Sequence, residues 1–179
     1  MNTLEILKKR KSVRNYTEKE VEKEKVEEII HAAQHAPNAG PFHITVIRNK
    51  QMLKEINDRA LAAMKNSGQD FMMQRAALPG YQPLYGAPVL FLLSASPDGY
   101  GHVNTACAAT AMTYTATALE LGSCYVVTPV MALGKESDIL PSLHLPDGFV
   151  PMCGVLAGYP GDDTFATIRP GMDNVTYVD

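Results

Sequence analysis

Arg10, Ser12 and Arg14 alternate within the stretch "RKSVR". In an extended chain, side chains two residues apart point the same way. The three then present a guanidinium, a hydroxyl and a second guanidinium on one side, a donor set suited to a phosphate dianion. Five of the chain's sixteen Lys and Arg fall within residues 8–14, although the net charge is −3. A plainer role fits the same residues: Lys8, Lys9 and Arg10 complement the C-terminal end of a helix over "TLEILKK" and solvate the surface. The mild overall acidity argues against a nucleic-acid binder, which needs a broad basic face.

A second stretch of interest is "HAPNAGPFH", residues 35–43. A helix stops at Pro37, and an Asn-Ala-Gly-Pro turn leads into a strand. Such a turn exposes backbone groups that can read the edge of a planar ligand, and it is equally an ordinary helix-to-strand connection. His43 alternates away from Phe42 and Ile44, as a solvent-facing strand residue does. Other chemistries have no footing. There is no HExxH, GxSxG or Walker loop, and no GxGxxG follows a first strand. Cys107, Cys124 and Cys153 are isolated and lack metal-ligand spacing, so they read as reduced, buried thiols.

The elements that must position these residues follow from periodicity. Val26, Ile29, Ile30, Ala33 and Ala36 recur at three- and four-residue intervals and predict a helix over 22–36. "FHITVIRN" alternates and predicts a strand; "KQMLKEINDRALAAMKN" predicts a second long helix. Residues 67–86 hold a short helix and a Pro/Gly/Tyr-rich loop. "APVLFLLSAS" is a continuous apolar run, the pattern of a strand buried on both faces. "NTACAATAMTYTATALELG" is nearly uncharged and predicts a buried helix, with Gly122 in the left-handed position that ends it. "SCYVVTP" and "VPMCGVLAGYP" predict two more buried strands, "MALGKESDILPSL" a helical segment, and 161–179 a tail of little periodicity. With hydrophobic residues at 46% and charged residues at 20%, residues 1–179 read as one domain. Buried strands separated by helices predict a three-layer α+β or α/β domain. No apolar run is long enough to span a membrane, and the N-terminal residues have the wrong charge order for a secretory signal, so a cytoplasmic protein is expected.

Taken together, the segments resemble the FMN-dependent nitroreductase family through nearly the whole chain. "KRKSVRNY" is similar to that family's Arg-(Arg/Lys/His)-Ser-x-Arg signature. "IIHAAQHAPNAGPFHITVI" is similar to its helix, Ala-Pro-Ser turn and strand. "NTACAATAMTYTATALELGSCYV" is similar to its Ala-rich central helix, which closes on Leu-Gly and a cysteine. "LPDGFVPMCGVLAGYP" is similar to its Leu-Pro…Gly-Tyr-Pro segment, and Arg169 stands where the family has a basic residue. The resemblance implies an α+β nitroreductase-like fold, a central mixed but mainly antiparallel sheet flanked by helices. It also implies an intertwined homodimer, with the tail from about 160 to 179 packed on the partner subunit and FMN at the interface. The activity it implies is hydride transfer from NADH or NADPH to the flavin, then reduction of a nitro compound, quinone or similar small acceptor, in a ping-pong scheme without a metal. The flavin does the chemistry and the protein positions it. On this basis Arg10, Lys11, Ser12, Arg14 and Arg169 surround the phosphate. Pro37, Asn38 and Ala39 of the partner line the ring, and the strand end Val127, Thr128, Pro129 and Val130 packs near it with a backbone N–H for N5. His43, Phe71 and Tyr85 are the expected substrate contacts, with the loop around 66–86 as lid or as a plain packing surface.

Departures from the family pattern bear on chemistry. Asn38 replaces a serine, Pro41 an asparagine and His43 a glutamine. Pro41 cannot donate from backbone or side chain, so the family's bond from that position to the flavin is lost, with Asn38 or His43 as candidate replacements. Pro129 also lacks an N–H, which leaves Thr128 or Val130 as donor. Two other classes remain open at this level: a flavin carrier or sensor without turnover, and a protein whose basic arm binds an acidic partner.

Overall fold

The computed structural model describes residues 2–134, 137–162 and 174–178. Arg169 lies outside them. Six helices and four strands are present among the described residues: α1 Thr3–Lys9, α2 Lys23–Gln34, β1 His43–Ile47, α3 Lys50–Lys65, α4 Asp70–Ala76, β2 Val89–Ala95, α5 Gly101–Ala118, β3 Gly122–Val126, α6 Thr128–Ala132 and β4 Val150–Gly158. The strands form one sheet in the order β1-β2-β4-β3, with every neighbouring pair antiparallel. Among the described residues the sheet is thus antiparallel rather than mixed; a parallel bridge outside its strands, Ser12 to Ser123, lays the N-terminal segment along β3.

Every residue of β2 is buried, and its alternation feeds two cores. Val89, Phe91 and Leu93 face α2 and α5, where they meet Ile29, Ala33, Ala109 and Met112. Leu90 and Leu92 face the other way, onto Leu53, Ile56 and Ala60 of α3 and Ala132 of α6. This makes three layers, helix on sheet on helix, as the apolar run predicts. No helix among the described residues is long and apolar enough to cross a membrane.

Three local expectations are corrected. The strand expected over 123–129 ends at Val126, and Thr128–Ala132 turns into α6, with Pro129 in its first turn, where a missing N–H costs nothing. The helical segment expected over 131–143 is therefore split, into α6 and a 3₁₀ turn at Leu140–Leu143. Gly122 does not end α5. Glu120 takes the left-handed position, at φ 62, while Glu120 and Leu121 donate their N–H groups to Thr117 and Ala116. Gly122 instead opens β3, where a Cβ would lie 2.9 Å from three atoms of Val13. Cys124 and Cys153 are buried free thiols, while Cys107 is only half-buried.

Candidate functional site

The N-terminal arm is built as the alternation requires. α1 starts on a reciprocal cap, Asn2 with Glu5, and finishes on Lys8 and Lys9, with Arg10 leaving the helix in extended geometry. Val13 then donates its N–H to the Ser123 carbonyl at 2.9 Å. That bond and the bridge at Ser12 lay this segment along the β3 edge. Arg10, Ser12 and Arg14 are half-buried, while Lys11 is exposed and falls on the alternate side.

Arg10, Ser12 and Arg14 lie within electrostatic reach of Cys124. Burial pushes its thiol pKa up, against opposing pulls from Arg14, a hydrogen bond with Ser12, then Arg75 and Arg10. Tyr16 is buried in the same core as Cys124. Its phenol is raised well above the ordinary value by burial, then by Cys124 and Tyr85, with Arg14 pulling it down. The Tyr16 hydroxyl is buried without a hydrogen-bond partner among the described residues.

Arg75, on α4, is the member that sequence reasoning missed. It donates from Nε to the Tyr81 hydroxyl at 3.2 Å and from Nη2 to the Tyr85 hydroxyl at 2.9 Å. Tyr81 and Tyr85 meet edge to face, 5.9 Å between centroids. Tyr81 is pushed up to about 12 by burial and its bond to Tyr85. Tyr85 holds φ 53, an uncommon conformation for a side chain of that size. The clue available in sequence was a single arginine inside a loop rich in tyrosine. Neither Arg10 nor Arg75 pairs with a carboxylate among the described residues. The concentration of guanidinium charge here therefore suits an anionic ligand.

The other expected residues fall on α4, the 37–41 turn, the start of β1 and the start of α6. Phe71 is exposed near the start of α4. Pro37, Asn38 and Ala39 sit in an exposed turn held by Asn104 of α5. Ser123, beside Ser12, donates to the Thr113 carbonyl at 3.4 Å. Asn104 and Thr113 are nine residues apart, about 14 Å of helix, so the turn and the arginines occupy different levels of α5. His43, half-buried, lines a cleft of about 490 Å³ with Ile30, Gln34, Asn38, Pro41 and Phe42. Val127 is exposed and precedes α6. Val130 donates its N–H to the Val127 carbonyl at 3.1 Å, so of the two expected donors Thr128 is left. Thr128 also carries a buried hydroxyl without a partner among the described residues.

A helix–sheet–helix domain with a cluster of arginines at the β3 edge is the class that fold and site define. The nitroreductase family model matches residues 7–159, and the chain belongs to that family. A nitroreductase from Bacteroides fragilis, solved with bound FMN, is 27% identical over the full length of both chains, with a TM-score of 0.84. A nitroreductase from Desulfitobacterium hafniense, also with bound FMN, shares the fold over both full lengths at 24% identity and a TM-score of 0.90. A protein of Methanothermobacter thermautotrophicus, provisionally named NADH dehydrogenase/NAD(P)H nitroreductase, is 41% identical over 59 residues. That match covers 31% of this chain and 31% of the relative, about a third of its length.

Proposed function

We propose that this protein is an FMN-dependent oxidoreductase that takes reducing equivalents from NADH or NADPH and delivers them to a small acceptor such as a nitro compound or quinone. The observation that carries the reading is the N-terminal arm laid along the β3 edge with Arg10, Ser12 and Arg14 half-buried on it, in a chain of the nitroreductase family. The donor set suits FMN: guanidiniums for the phosphate, and the unpartnered Thr128 hydroxyl for a polar edge of the ring. Bound FMN would supply hydride acceptance at N5 and electron delivery to the acceptor, with nicotinamide and acceptor using one site in turn.

The chain's own residues bind and orient. Arg10, Ser12 and Arg14 grip the phosphate through charge-assisted bonds. Arg75 keeps positive charge beside them while Tyr81 and Tyr85 hold its direction. Pro129 and Val130 present an apolar wall that excludes water from one face. Arg169 is a further expected phosphate contact.

Pairing of two subunits completes the site in this reading. Residues 101–118 of α5 contain no Asp, Glu, Lys or Arg. Val103 on that helix is exposed, and Cys107, Thr110, Ala111 and Tyr114 border an apolar groove of about 390 Å³ with Ala36 and Pro37. Leu4 and Leu7 of α1 are exposed nearby on a helix that lies against α5. A second copy of this surface buries these groups and brings the Pro37–Ala39 turn to the neighbour's arginines. Light scattering that returns a monomer mass for the FMN-loaded protein contradicts the pairing.

The test of the activity is anaerobic addition of NADH or NADPH to FMN-loaded protein, watching the flavin absorption band. Bleaching by one nicotinamide and recovery with a nitroaromatic or quinone are expected. Flavin that stays oxidised with both nicotinamides makes the protein a carrier or sensor, the reading that Pro41 and His43 favour.

A further inference from the structure

Asn104 is buried, 3% exposed, in the first turn of α5. Both ends of its carboxamide are engaged. Oδ1 accepts the Ala39 N–H at 2.8 Å, and Nδ2 donates to the Gly40 carbonyl at 3.2 Å. Two consecutive residues, more than sixty positions away in the chain, are thereby clamped by one side chain.

The residues it clamps do not belong to the core. Pro37, Asn38, Ala39 and Pro41 are all exposed, and Gly40 is half-buried. Backbone groups on an exposed turn can bond to water, whereas burying a carboxamide carries a desolvation cost. A buried Asn committed to a surface turn therefore fixes the turn's shape more than it serves the interior. Other features act in the same direction. Asn38 donates its amide to the Ala36 carbonyl at 3.1 Å, and prolines at 37 and 41 restrict φ on both sides. The turn also divides two hollows. Pro37 borders the apolar groove along α5, while Asn38, Gly40 and Pro41 border the polar cleft that contains His43.

We infer that Asn104 is a positioning residue, which holds the 37–41 turn in the shape that meets the flavin ring of the neighbouring subunit. The inference rests on the reading above that FMN binds and subunits pair. Rigidity set in advance removes the ordering cost that a flexible turn would add to binding. Asn104 itself touches no ligand in this arrangement. It acts through the backbone of Ala39 and Gly40.

The experiment compares wild type, Asn104→Ala and Asn104→Asp as full-length chains, by equilibrium titration with FMN, absorption spectra at saturating FMN, and thermal unfolding without FMN. Asn104→Asp keeps the acceptor for Ala39 but loses the donor for Gly40, so it guards against an alanine variant that fails to fold. Asn104→Ala is expected to weaken FMN binding about tenfold, the scale of one to two lost hydrogen bonds. It is also expected to change the shape of the bound flavin's absorption band. Asn104→Asp is expected to fall between it and wild type. Unchanged FMN affinity and an unchanged bound spectrum in both variants, even with a lowered Tm, overturn the inference and leave Asn104 a folding residue. Wild type that takes up no FMN overturns the flavin reading itself, a result separable from the first because it appears before any substitution is made.

Discussion

Val13 donates its backbone N–H to Ser123, and that bond decides which way Ser12 and Arg14 point. Residues one position out of step cannot join them. Replacing Arg10 and Ser12 together by Ala is expected to weaken FMN binding by about 3 kcal/mol, more than a hundredfold, because each charge-assisted bond contributes about 1.5–3 kcal/mol. Replacing Lys8 and Lys9 together is expected to change it little, since both lie in the last turn of α1. Equal losses in the two double variants, measured by flavin fluorescence titration, contradict a fork built on alternation. The fork was legible in sequence because strand alternation is local. Arg75 and Asn104 were not, because each gains its meaning from a chain segment far away: Arg75 through Cys124 and Arg10, Asn104 through Ala39. No period or motif carries such a juxtaposition.

At the level of elements, glycine shows why a sound rule can be applied to the wrong task. A glycine just past a helix suits a left-handed cap, yet here Glu120 takes that conformation. Gly122 is required by the close approach of Val13. Both needs produce a glycine, and sequence alone does not separate them. Gly122→Ala is expected to push residues 12–14 away from β3 and destabilise the fold by about 1–3 kcal/mol, the usual range for overpacking. FMN affinity falls with it, as Ser12 and Arg14 lose their support. A variant of normal FMN affinity contradicts the coupling of edge packing to the site. The opposite end of the arm's neighbourhood is pinned by Tyr159, just beyond β4. Its hydroxyl donates to Glu22 at 2.7 Å and accepts from Lys25 at 2.9 Å. Glu22 is lowered by its own backbone hydrogen bond, then by Tyr159. Lys25 is raised, first by its bond to Tyr159. A lowered carboxylate adds stability above its unfolded pKa and loses it as pH falls through the folded one. A raised lysine adds stability below its unfolded pKa and loses it as pH rises through the folded one. Tyr159→Phe is therefore expected to lower Tm at neutral pH, with the difference narrowing below about pH 4 and above about pH 10. A difference that stays constant across thermal melts from acid to alkaline pH contradicts this account.

On the scale of the molecule, the three layers, the four strands and the family were readable from apolar patterning and from five ordered segments. The strand order was not, because burial on both faces of β2 is compatible with several neighbours. In the proposed function the site is assembled from two features of the chain, the arginine cluster at the β3 edge and, from the paired subunit, the turn clamped to the start of α5. In that proposal the arginine cluster holds the phosphate of FMN. The most direct test of that role is equilibrium titration of the flavin-free protein with FMN and, in parallel, with riboflavin, which has the same ring and no phosphate. Loss of the phosphate removes at least two charge-assisted bonds, so FMN is predicted to bind more than a hundredfold tighter than riboflavin. Equal affinities for the two flavins would contradict the account.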